Sequence, residues 1–489
     1  MLYTAGFDRD IVGILEKYYA GSKVRIGLQN FISDFIEQNI GLKQGCVLSP
    51  LLFALVIDRL AKSIEDSLLG ATVGSVRIPG LLYADDIVLM ANSPEELQSL
   101  LNRCAEFGSF SGLDFNVKKS QVMEFHNTMD GMDERMGRDR YSIGDKELIV
   151  VNTYTYLGVD FSTDGFSKQE DVMLTKLVKL EGMLGSRLRC CFNKYIVART
   201  FWKGIAVPVG MYALESICYS TATMRRMEGV QCKVARKALG APKKAAVESL
   251  QGEMGWSTFK EREAKAKLKF VGRLQLLGED RMICRIFQEM VKGRINTKWS
   301  RKVMKLMGSV GIDRMKLANE GKKKWIKTVE KAVREWGLNA WKEGVAQKKS
   351  LKLYAYKTSI CAEGFYDNSL GSRLLFAARC GCLPTQEYRG RYIDRLDITC
   401  GLCREDVDDL VHVMLECNYE QVYEARERLV EVVKRSLGES EEKWDRRTLK
   451  EKVLVMLGLG MEKEVAADIV KASKEMLSVG WRCRRLPVI

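Results

Sequence analysis

Proline and histidine are the scarce residues of this chain, with 7 prolines and 2 histidines among 489 positions. So little proline excludes a collagenous or mucin-like polymer, and the abundance of Leu, Lys, Glu, Arg, Ala and Met leans the chain towards helix. Long apolar runs are also missing: Leu51 to Ile57 is among the longest, far short of the ~20 residues that cross a bilayer. The start, Met1-Leu-Tyr-Thr-Ala-Gly-Phe-Asp8, has neither the basic opening nor the apolar centre of a secretory signal. The 14 cysteines include the neighbours Cys190 and Cys191 and lack the even spacing of a small disulfide scaffold. A protein of a reducing compartment, nuclear and/or cytoplasmic and not secreted, is expected.

What is present is a large apolar content, 46%, in a chain long enough for roughly three domains at about 150 residues each. Lysine and arginine number 78 against 63 acids, a net charge of +15. Such a balance favours a polyanionic partner, nucleic acid above all, over the alternative of a merely basic solvated surface.

Residues 1–165 mix short β-rich runs, such as Leu81 to Met90, with helical stretches such as the one starting at Ser93-Pro94, so this part reads as α+β. Residues 166–290 turn helical, with Met173, Leu177, Leu180, Leu184 and Leu188 stepping by three or four, and a helix expected from Met224 to Leu239 that stops at Gly240-Ala-Pro242. Residues 291–369 are basic, interleaving Lys322-Lys323-Lys324 with Trp299, Trp325, Trp336 and Trp341. Lysine beside aromatic rings suits a groove for a nucleic-acid strand; the same pattern also fits an amphipathic helix with its tryptophans in the core. Residues 370–489 carry a cysteine cluster.

The sharpest local signal is Leu82-Tyr83-Ala84-Asp85-Asp86-Ile87-Val88-Leu89. Neighbouring side chains of a regular strand face opposite sides, so Asp85 and Asp86 share a site only if a turn falls between or beside them, as at a hairpin tip. Two carboxylates there suit Mg²⁺, which takes oxygen ligands and keeps waters and phosphates, and two such ions clamp the attacking and leaving oxygens of phosphoryl transfer.

Tyr83-Ala84-Asp85-Asp86 resembles the catalytic box of reverse transcriptases, and three further segments follow their order. Gly41-Leu42-Lys43-Gln44-Gly45 through Phe53 resembles the template- and nucleotide-contacting motif. Gly112-Leu113-Asp114-Phe115-Asn116 through Ser120, with Lys119, is similar to the next, and Tyr156-Leu157-Gly158-Val159 looks like the strand that grips the primer end. The resemblance is closest to the polymerases of non-LTR (LINE-like) retrotransposons. It implies a palm at 1–165, a helical thumb at 166–290, a basic helical linker at 291–369 and a zinc-binding region at 370–489.

It further implies RNA template, DNA primer or target and dNTPs as partners, Asp85 and Asp86 as Mg²⁺ ligands, Gln44, Gly45, Tyr83 and Asn116 lining the template and nucleotide site, and Lys119 aiding the departing pyrophosphate. Gly45 is also what a plain turn would use, and Lys119 is equally a solvated charge. The family carries a third carboxylate on an earlier palm strand. Asp8 lies only 36 positions before Gln44 and reads as a helix cap. An N-terminally truncated polymerase without autonomous activity is therefore expected, the alternative being a non-catalytic RNA- or DNA-binding protein derived from a retrotransposon.

At the other end, Cys400-Gly-Leu-Cys403, His412 and Cys417 form Cys-x2-Cys-x8-His-x4-Cys. Three thiolates and an imidazole make a closed tetrahedral shell for a structural Zn²⁺, with Asp408 to Glu416 expected as helix. Similar knuckles follow the polymerase in non-LTR elements. Cys380 and Cys382 read as packing residues.

Overall fold

The computed structural model describes residues 2–484 apart from Thr4, Asn30, 39–40, Gln44, 126–139, Glu279 and 314–320. More than half of the chain is helical, the strands form small, mostly antiparallel sheets, and the C-terminal region is helical. Two compact units emerge: Met1–Gly165 with Glu279–Asn296, and Phe166–Gly278 with Thr297–Ile489. No helix among the described residues is long and apolar enough to cross a membrane.

In the first unit the helix Arg9–Tyr19 is capped by Asp8, whose carboxylate accepts from the Asp10 N–H. Pro50 opens the helix Ser49–Glu65, and the helix Pro94–Ser111 follows Ser93, whose hydroxyl accepts from the Glu96 N–H. These two helices meet through Leu60, Ile64, Leu100 and Cys104, with Ile87 and Leu89 of the hairpin Gly80–Leu89 packed against them. One residue on, Leu101 faces Val122, Tyr141 and Leu148 of the sheet. The hairpin is thus anchored by its apolar residues at the base and leaves its tip outward. Truncating Leu60 or Leu100 to Ala costs about 2–5 kcal/mol by the cavity it leaves.

The second unit is built from helices, among them Thr221–Leu239, which starts at Ser220 and ends at Gly240 with φ +59°, a conformation that glycine adopts without Cβ strain. Three of the four tryptophans of the basic stretch turn their indole N–H groups inward, while Trp336 stays half-buried with Lys260 Nζ 4.9 Å from its ring centre. Trp325 and Trp341 lie buried on the helix Lys322–Ala346, and their indole N–H groups donate to the carbonyls of Leu268 and Glu248, each at 2.8 Å. Trp299 donates likewise to Glu215 at 2.7 Å. For these three the core reading holds, because a buried indole that satisfies its N–H in the interior contributes more than an exposed one.

Glu253, Arg379 and Lys357 form a buried ionic cluster, with the Tyr366 hydroxyl donating to Glu253 at 2.6 Å and that of Tyr195 donating to the Glu253 carbonyl at 2.7 Å. Burial opposes ionisation of Glu253, yet Arg379 and Lys357 outweigh it and hold the carboxyl below its ordinary value. The helices Leu370–Arg379 and Glu420–Leu437 both pack on the C-terminal helix Lys463–Arg484.

Candidate functional site

Strands Gly80–Tyr83 and Asp86–Leu89 pair with Tyr83 opposite Asp86, which leaves Ala84 and Asp85 as a two-residue loop. Ala84 has φ +52°, a left-handed conformation at the first loop position that favours glycine and that costs an alanine about 1–2 kcal/mol. This strained turn places Asp85 in the loop and Asp86 at the first strand position, so both carboxylates, with Tyr83, are solvent-exposed at the tip. A turn thus falls beside the pair, the condition that adjacent strand positions have to meet before they can face one side. Among the described residues no third acidic, histidine or cysteine side chain joins them in a metal-sized group.

A second hairpin stands beside the tip. Thr153–Tyr156 pairs with Val159–Ser162 through the loop Leu157-Gly158, where φ is +49° and +74°, the pattern of a type I′ turn. Burial raises the pKa of the Tyr156 phenol, and the negative charge of Asp86 raises it further, so the phenol keeps its proton next to the acidic tip. Two residues back, the Tyr154 hydroxyl donates to the Lys119 carbonyl at 3.2 Å. The same strand therefore brings together Asp86 and the turn that holds Lys119. That turn begins at Asn116, whose carbonyl accepts the N–H groups of Lys119 and Ser120 at 2.9 and 3.0 Å. The side chains of Asn116 and Lys119 are exposed.

Gly45 has φ +84° and open space where a Cβ would stand. The turn demands glycine there, and the bare backbone leaves room for another molecule to approach. Gln44 lies outside the described residues. Next to Gly45, the Cys46 thiol is lowered to about 7, chiefly by the Leu48 N–H and then by Tyr18.

Under the Asp-Asp hairpin lies a largely apolar cavity of about 460 Å³ lined by Leu81, Val88, Val122, Phe125, Tyr154 and Phe161, among others. Among the described residues, the hairpin pairs with no other strand, and Gln121–Val122 is an edge strand. No sequence signal marks this cavity, because its walls come from segments up to 80 positions apart (Leu81 to Phe161).

In the second unit, the donor atoms of Cys400, Cys403, His412 and Cys417 all lie within 4.8 Å of one another. Cys400 Sγ is 4.0 Å from Cys417 Sγ, and Cys403 Sγ is 3.3 Å from His412 Nε2. Tetrahedral Zn–S bonds of about 2.3 Å imply ligand separations of about 3.8 Å, so the donor set fits zinc with shifts of about 1 Å or less. The expected helix here is in fact a π-turn, His412–Glu416, closed by the Cys417 N–H donating to the His412 carbonyl at 2.9 Å. An α-helix would set residues five apart about 140° from each other; the wider turn brings His412 and Cys417 to one side.

Behind the cluster sits Arg484, 3.8 Å from Cys400 Sγ and paired at 2.8 Å with buried Asp408, a contact without straight hydrogen-bond geometry. Burial opposes ionisation of Cys400, but the N–H groups of Cys403 and Leu402 and the Arg484 charge outweigh it and lower the thiol. Burial pushes Cys417 up to about 11; a bound dication reverses that. Arg484 and Asp408 escaped the sequence reading because 76 residues separate them. Cys380 and Cys382 are buried and stand outside the cluster.

Comparison with known proteins now adds to this geometry. Residues 6–161 match the family model for reverse transcriptase (RNA-dependent DNA polymerase). The chain is also similar to Pol polyproteins of retrotransposable elements. One relative is the retrovirus-related Pol polyprotein from the type-2 retrotransposable element R2DM of Drosophila melanogaster, 29% identical over 163 residues, which are 33% of this chain and 15% of that protein. Another is the Pol polyprotein of a type-1 element R2 of Popillia japonica, 31% identical over 144 residues, 28% of this chain and 23% of the relative. The Transposon TX1 uncharacterized 149 kDa protein of Xenopus laevis is 26% identical over 214 residues, 41% of this chain and 16% of its own length. The chain thus spans less than a quarter of the length of these relatives.

Proposed function

We propose that the chain is part of the RNA-directed DNA polymerase of a non-LTR retrotransposon, with residues 1–165 as palm, 166–290 as thumb, 291–369 as linker and 370–489 as a zinc-stapled nucleic-acid-binding region. The observation that carries this reading is the exposed Asp85–Asp86 pair at a strained two-residue turn, inside the segment that matches the reverse transcriptase family. Asp85 and Asp86 bind Mg²⁺ together with the phosphates of an incoming dNTP. Tyr83, Gln44, Gly45 and Asn116 line the path of template, primer and nucleotide, and Lys119 offers its charge to the departing pyrophosphate. Cys400, Cys403, His412 and Cys417 hold a structural Zn²⁺ with no open position.

One Mg²⁺ on two carboxylates, waters and phosphates is ordinary coordination. A second ion about 4 Å away adds a repulsion of order 16 kcal/mol at an effective dielectric of 20, which further carboxylate charge has to offset. Since no third acid joins the tip among the described residues, the two-ion site needs a carboxylate from elsewhere. That observation favours the second reading, an RNA- or DNA-binding protein without synthesis.

Primer extension decides between them, using the purified chain, an RNA template, a DNA primer, dNTPs and Mg²⁺. Salt-sensitive binding without incorporation is expected. Incorporation that disappears in Asp85→Ala shows that two carboxylates suffice and overturns the incompleteness of the site. Absence of nucleic-acid binding overturns both readings.

A further inference from the structure

We propose that Tyr392, with Lys244 against one face of its ring, is a stacking platform for an unpaired base of single-stranded RNA or DNA, held in place by the Cys/His knuckle; this rests on the nucleic-acid reading above. Lys244 Nζ lies 3.1 Å from the centre of the Tyr392 ring, and that tyrosine is 56% exposed. Tyr388 meets the same ring edge-on with centroids 5.5 Å apart. More than half of the Tyr392 surface is open to solvent while an ammonium group stands over its ring. Every nucleobase has a π-face, so such a ring accepts any sequence, and the cation serves the adjoining phosphate.

The charges around the ring point the same way. Among the described residues neither Lys243, Lys244 nor Arg389 forms an ion pair with a carboxylate. Arg391, by contrast, is fixed by two hydrogen bonds to Glu387, at 3.0 and 2.9 Å, which leaves its guanidinium 5.6 Å from the Tyr388 ring centre. A lysine resting on an aromatic face, with no acid to neutralise it, is an anion site waiting for a ligand. A polyanionic strand with flat bases satisfies both halves, ring and cation, where an acidic polypeptide satisfies only one.

The loop that bears Tyr392 is fastened to the knuckle by one residue. Asp408 accepts the Gln386 N–H on its carboxylate at 2.9 Å and the Glu387 N–H on its carbonyl at 3.1 Å, and its own N–H donates to the Ile398 carbonyl at 2.8 Å. Both ends of the 386–398 excursion are therefore tied to Asp408, which Arg484 links to the Cys400 sulfur. Asp408 is a positioning residue. Zinc at the four ligands would act on nucleic acid through this tie, without touching it.

The test is fluorescence anisotropy of the full chain with a 20-nucleotide single-stranded RNA, together with photocrosslinking to the same RNA carrying 5-iodouridine and mapping of the crosslinked peptide. Tyr392→Ala is expected to weaken binding by about 5- to 100-fold, the range for loss of one base–aromatic stack, whereas Tyr392→Phe keeps it. Lys244→Ala lowers the slope of log affinity against log salt by about 1, and the crosslink maps to Tyr392. Zinc-depleted chain, and Asp408→Ala judged folded by circular dichroism, lose that crosslink.

RNA binding that is within twofold of wild type in Tyr392→Ala, or a crosslink confined to other residues, overturns the platform while leaving the wider nucleic-acid reading intact. Wild-type chain that binds no RNA overturns both. Capture of a poly-glutamate peptide in place of RNA, abolished by Lys244→Ala, assigns the patch to an acidic polypeptide and also overturns the proposal.

Discussion

At the scale of the residue, Ala84 shows how the tip is made. A left-handed alanine with φ +52° stores strain that the packed base of the hairpin must over-determine, and such strain clusters at sites of function. Replacing it by glycine removes the Cβ clash but adds backbone entropy to the unfolded chain, so Ala84→Gly is expected to leave urea-unfolding stability within about 1 kcal/mol of wild type. Ala84→Val, β-branched where φ is positive, is expected to cost about 2 kcal/mol or more. Equal stability of the two variants would show that the turn is not strained. Tyr156 stands beside the same tip: its half-buried phenol stays protonated next to the Asp86 charge.

At the scale of the element, the Cys/His knuckle owes its geometry to a π-turn and to the helix ending in Arg484, 67 residues beyond Cys417. Removal of metal by chelation is expected to open residues 395–420 to protease while the core helices keep their circular dichroism, and metal analysis should give about one zinc per chain. Arg484→Met is expected to weaken zinc affinity by about 10- to 100-fold, as loss of a group behind the ligands does. Unchanged protease sensitivity after chelation would remove the zinc reading.

The Cys400, Cys403, His412 and Cys417 cluster was legible because Cys-x2-Cys followed by His and Cys is a spacing that few other structures require. The π-turn was not, since an insertion of one residue in a helical turn leaves no mark in composition. The Asp-Asp hairpin was legible for the opposite reason: β-formers on either side of two polar positions permit only a tight turn. The tryptophans of 291–369 left groove and core open because periodicity shows that a helix has two faces without showing which one meets a partner helix. Trp325 settled inward against Leu268.

At the scale of the whole molecule, the Glu253–Arg379–Lys357 cluster ties segments more than 100 residues apart. Glu363 also pairs with Lys357 and Arg379, so replacing Glu253 leaves two buried cations to one carboxylate, and Glu253→Gln is expected to cost about 3–5 kcal/mol near neutral pH. The folded-state pKa of Glu253 is lowered, so its contribution is present above the unfolded value near 4.5 and is lost as pH falls through the folded one. The gap between wild type and Glu253→Gln should therefore close in acid; a gap independent of pH would contradict this assignment.

The account as a whole stands on the metal-binding character of the Asp85–Asp86 tip. Fe²⁺ offered in place of Mg²⁺, with a bound primer–template and dNTP and with hydrogen peroxide as oxidant and ascorbate to return Fe³⁺ to Fe²⁺, generates hydroxyl radicals that cut the chain where the metal binds. The prediction is cleavage at residues 83–87 that vanishes when Asp85 and Asp86 are both replaced by alanine. Wild-type chain that binds the primer–template yet is not cut there, or is cut identically in the double variant, contradicts it.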